Sequence, residues 1–61
     1  MTTQSMLSEF LSALGFTTMA REVQSEQDKA RLSHYARIVL RNVPADKRMA
    51  VRERFYALRL I

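Results

Sequence analysis

The apolar positions of this chain recur at helical spacing in three places. Met6, Leu7, Phe10, Leu11 and Leu14 fall at i, i+1, i+4, i+5 and i+8, one face of a helix, with Ser8, Glu9 and Ser12 opposite. The spacing predicts a short N-terminal helix over about Ser5 to Leu14. Gly15 stands where a left-handed residue closes a helix, and Phe16 where such an ending returns an apolar side chain to Leu11. Phe16, Thr17, Thr18 and Met19 then bring β-branched and aromatic residues together. Two readings stay open for residues 16–19: a short strand paired with a two-fold copy of itself, or the start of the next helix capped by Thr17 or Thr18.

Leu32, Tyr35, Ala36, Val39, Leu40 and Val43 follow i, i+3, i+4, i+7, i+8 and i+11. Ser25 and Asp28 read as a capping box in which Asp replaces the usual Glu. Helix is therefore expected over 26–41, with a start as early as Met19 because Ala20 and Val23 suit one. Asn42, Val43 and Pro44 break it, and a last helix runs from about Ala45 to Arg59. So short a link predicts that the two helices fold back as an antiparallel hairpin. The last helix has two apolar sides: Val51, Phe55 and Leu58, widened by Ala50, Ala57 and Ile61, and, nearly opposite, Met49, Tyr56 and Leu60. Two apolar sides imply two neighbours, the preceding helix and a second chain. The expected architecture is mainly α, one domain over 1–61, assembled as a homodimer.

Composition reinforces that reading. With 61 residues the chain is a single small domain, and about 60% of its surface at most is buried on folding. It has no cysteine, so neither a disulfide framework nor a thiolate-based zinc site is available as a staple. Self-association is the remaining route to a larger core. No apolar run approaches the ~18 residues of a membrane span, and Met1 to Gln4 carry no positive charge ahead of an apolar stretch, so no secretory signal is expected. The segment 5–14 lacks Lys and Arg, which removes any attraction to an anionic bilayer surface.

Charge is divided unevenly. Residues 1–28 set Arg21 against Glu9, Glu22, Glu26 and Asp28, net −3; residues 29–61 set nine basic side chains against Asp46 and Glu53, net +7. His34 is the single imidazole, and it falls beside Arg37 and Arg41, away from the apolar stripe. A nucleophile needs a base oriented next to it, and one surface histidine with scattered carboxylates supplies neither that nor a metal site. No catalytic residue, cofactor or metal is expected. The basic residues raise nucleic-acid binding as an alternative, with Arg48, Arg52 and Arg59 as contacts. A helix-turn-helix turning at Gly15 fails, because it would put Leu11 where a small residue is required and Arg21 and Gln24 where buried aliphatics are required. The interaction surface expected from the apolar pattern comprises Tyr35, Val39, Met49, Phe55, Tyr56 and Leu60.

Four stretches, GFTTMARE at Gly15–Glu22, SEQDKARLSHYARIVLR at Ser25–Arg41, VPADKR at Val43–Arg48 and RERFYAL at Arg52–Leu58, cover most of the chain. In these the chain resembles the small early proteins encoded between the exonuclease and excisionase genes of lambda-like temperate phages. The resemblance implies a non-enzymatic early product that acts in the host cytoplasm and favours lytic development. It carries over no binding residue, since none of the four stretches is a catalytic or ligand motif. The expected function is protein–protein interaction as a homodimer, with a basic DNA-binding regulator as the alternative.

Overall fold

In a computed structural model describing residues 2–61, the chain forms four helices: α1 (Thr3–Ala13), α2 (Thr17–Gln24), α3 (Lys29–Asn42) and α4 (Ala45–Ala57). None is long and apolar enough to cross a membrane. Helix α1 begins two residues before Ser5 because Thr2 caps it, its hydroxyl accepting from the Ser5 N–H at 3.1 Å. It ends as the sequence predicts. Gly15 takes φ +96°, its N–H donates to the Ser12 carbonyl at 3.1 Å, and the Phe16 N–H donates to the Leu11 carbonyl at 2.9 Å. These two bonds are the Schellman pair, which needs a left-handed residue that glycine supplies without strain.

The chain then enters α2 directly, so Thr17, Thr18 and Met19 are helical, and Phe16 rather than either threonine holds the N-cap position. Helices α1 and α2 form the closely packed antiparallel pair. The Gln4 side chain donates to the carbonyls of Val23 and Gln24, and the buried Ser8 hydroxyl donates to the Ala20 carbonyl at 2.8 Å. Small residues at Ser8 and Ala20 let the backbones approach, and Gln4 satisfies the carbonyls that α2 leaves open at its end.

The expected helix over 26–41 starts later, at Lys29. Both residues of the anticipated capping box do cap, but they serve different helices. The Ser25 hydroxyl donates to the Glu22 carbonyl at the end of α2, while the Asp28 carboxylate accepts from the Ala30 N–H at 3.0 Å as the N-cap of α3. Val43 and Pro44 are both extended, with ψ of 150°, and Val43 is buried in the core. Across this two-residue link α3 and α4 approach closely over only a short stretch. The more extensively packed pair of consecutive helices is α1–α2.

Leu7, Leu11, Val23, Leu32, Ala36, Val39, Val51 and Phe55 meet in one core drawn from all four helices. Phe10 joins it edge-on to Phe55, ring centroids 5.7 Å apart and planes at 89°, and the Arg54 guanidinium lies 5.1 Å from the centre of the Phe10 ring. The exposed surface of 4329 Å² is close to the ~4,100 Å² of a folded monomer of this mass.

Candidate functional site

The two sides of α4 have different fates. Val51, Phe55 and Leu58 face the core as expected, whereas Ala50 and Ala57 are exposed and do not widen that stripe. Met49 and Tyr56, seven residues apart and so within about 20° on the helix, point outward; they are 75% and 58% exposed. Leu60 does not continue this second stripe. The helix ends at Ala57, Arg59 takes φ +60°, and the Arg59 and Leu60 N–H groups donate to the Tyr56 and Phe55 carbonyls, both at 2.9 Å. This is a second Schellman ending, built on an arginine, and it turns Leu60 into the core.

The six expected surface residues therefore separate. Val39, Phe55 and Leu60 are buried within a single chain and line no groove. Tyr35 is half-buried against the core, and Glu22 beside its hydroxyl raises its pKa above the ordinary 10.0, mainly by hydrogen bonding to the neutral phenol, with partial burial adding to the effect. Met49 and Tyr56 alone stand fully outward, and Met49 shares a shallow groove of about 200 Å³ with Ala45, Arg48 and Arg52.

The three expected phosphate contacts separate as well. Arg48 spends its guanidinium on the end of α3, donating through Nε to the Leu40 carbonyl at 3.1 Å and through Nη2 to the Val43 carbonyl at 3.3 Å. A cation is favourable there because the helix C-terminus carries partial negative charge. Arg52 is exposed one turn further along α4, and Arg59 lies beyond the helix in its left-handed turn, outside any helical stripe. On α3, His34, Arg37 and Arg41 are exposed together, while Arg31 pairs with Glu26 at 3.1 Å.

A groove of about 630 Å³ lies between α1 and α2, lined by Ser5, Ser8, Glu9, Ser12, Thr17, Ala20, Arg21 and Gln24. Its one buried hydroxyl, Ser8, is committed to Ala20, and His34 belongs to α3, so the groove pairs no nucleophile with an imidazole. Among the described residues no cluster of three His, Cys, Asp or Glu could hold a metal ion. Comparison with known proteins finds no matching family model, no matching curated protein and no matching solved structure.

Proposed function

We propose that this protein is a non-enzymatic early phage accessory factor that works by protein–protein contact in the host cytoplasm, through the outer face of α4. The observation that carries the reading is the exposure of Met49 and Tyr56 on one side of that helix. Every other large apolar side chain among the described residues is at least partly buried, so this pair stands out against a chain that otherwise shields its apolar groups. A flexible thioether beside an amphipathic phenol suits a protein contact: Met adapts its shape, and Tyr brings contact area at low entropic cost. The phage assignment rests on the resemblance of the four sequence stretches.

A second copy of the chain is the partner this reading names first. The exposed stripe is two helical turns long, so the interface is small and the association transient, at the low end of specific contacts. Sedimentation across a concentration series tests it. The expected result is a mass rising from 7.1 kDa toward twice that value, with the rise abolished in Met49→Ala/Tyr56→Ala. A double variant that associates as the natural chain does would remove the reading's support.

A further inference from the structure

We propose that the basic face running from α3 onto the first half of α4 binds double-stranded DNA through its phosphate backbone, without reading sequence. On α4 this surface adjoins the Met49–Tyr56 side, since Met49 lines one shallow groove with Arg48 and Arg52; on α3 it is separate from it. Helix α3 contains no acidic residue. At about 100° per residue, His34, Arg37 and Arg41 fall within about 60° of one another, and all three are exposed. Arg31, about 60° from His34 and about 120° from Arg37 around the helix, is paired with Glu26.

The bonds from Arg48 to the Leu40 and Val43 carbonyls hold its guanidinium at the end of α3, in the same turn as Arg41. Arg52 follows one turn along α4. The positive groups thus run on across the helix junction from Arg37 through Arg41 and Arg48 to Arg52. None of these four meets a carboxylate among the described residues. Asp46 and Glu53, the two acids of α4, lie about 100° or more around the helix from Arg48 and Arg52. The opposite charge of the two sequence halves, −3 over 1–28 and +7 over 29–61, orients the molecule so that α3 and α4 lead toward a polyanion.

The chemistry of the face selects a duplex backbone. Single-strand binding proteins stack successive bases on several exposed aromatic rings; Tyr35 of α3 is half-buried on the side away from Arg37 and Arg41, and Tyr56, one turn from Arg52, is the single exposed Phe or Tyr ring among the described residues. Major-groove reading presents bidentate Arg, Lys, Asn or Gln side chains to the base edges, in the helix-turn-helix from the first turns of the recognition helix. The Asn42 amide is bound to the Ile38 carbonyl at 2.7 Å, and the arginines occupy the C-terminal half of α3. Phosphate contact remains. Arg48 acts as a positioning residue, and Arg37, Arg41 and Arg52 are the three phosphate ligands.

The test is a polarisation titration of a short labelled duplex at several salt concentrations. Three phosphate contacts predict a slope of log K on log salt of about −2.7, a loss of about 40-fold between ~50 and ~200 mM salt. Arg37→Ala/Arg41→Ala should weaken binding about 100-fold at low salt and flatten the slope to about −0.9. Arg21→Ala/Arg31→Ala removes the same net charge from elsewhere and should leave the slope unchanged. Arg37→Lys/Arg41→Lys, which keeps the charge, should restore binding. All variants are expected to keep the circular dichroism and thermal midpoint of the natural chain. No binding at low salt would overturn the proposal, as would equal losses in the two alanine doubles. Binding of a single strand or of polyglutamate as tight as that of the duplex would also overturn it.

Discussion

Arg59 holds a left-handed conformation that costs an L side chain roughly 1 kcal/mol and glycine nothing. It persists because the turn puts Leu60 into the core and satisfies two carbonyls of α4. Arg59→Gly should therefore raise stability by about 0.5–1 kcal/mol, a gain of a few degrees in thermal midpoint. At Gly15, φ +96° makes Gly15→Ala unfavourable by about 1 kcal/mol although open space surrounds the position. A midpoint that fell in the first variant or rose in the second would contradict the assignment of these two turns. Phe55 is fully buried and Arg52 exposed. Phe55→Ala should cost about 3–5 kcal/mol, much of the ~3–9 kcal/mol that a chain of this length commands, and Arg52→Ala should cost no more than about 0.5. Denaturant titration separates the two. Tyr35 makes a pH prediction. Glu22 raises its folded pKa above 10.0, so the neutral phenol's contribution is complete below the unfolded value and is lost as pH climbs through the folded one. In a Tyr56→Phe background, Glu22→Gln should lower the midpoint of phenolate absorbance; an unmoved midpoint would show that Glu22 is not the cause.

At the scale of elements, the sequence is informative where one residue type has one structural use. Gly15 followed by Phe16 announces the end of α1 because few residues other than glycine take that φ, and the apolar periodicities of α1, α3 and the inner side of α4 lie where core packing demands them. It is ambiguous where a residue has two uses. Ser25 and Asp28 stand at capping-box spacing, yet serine also closes helices and aspartate also opens them, and here each does so for its own helix. A helical wheel puts Leu60 on the outer stripe because it assumes that the helix continues; an arginine gives no warning of a left-handed turn. From sequence Arg48 reads as a free surface cation because its acceptors, the Leu40 and Val43 carbonyls, are backbone groups outside its own helix. Arg48→Met keeps its length and removes its donors, and should cost about 0.5–1.5 kcal/mol. Amide hydrogen exchange should show the loss as earlier fraying of the last turn of α3. Unchanged protection there would mean that water replaces the guanidinium without penalty.

The molecule as a whole joins the α1–α2 hairpin and the acidic link after it to a basic pair, α3–α4, around one shared core. A radius of gyration of 10.3 Å is what a compact chain of this length has, about 10.5 Å. Small size is offset within one chain by burying nearly every large apolar side chain at least in part, including Leu60 and Val43. The proposed association therefore rests on what remains outside, Met49 and Tyr56, and this is the central claim of the account. Tyr56→Ala tests it most directly, since Tyr56 is exposed and its removal leaves the core intact. The measurement pairs sedimentation across concentration with far-ultraviolet circular dichroism on the same samples. The account predicts that Tyr56→Ala loses self-association while keeping the helix content of the natural chain, whereas Val51→Ala loses both together. A Tyr56→Ala protein that associates as strongly as the natural chain would contradict it.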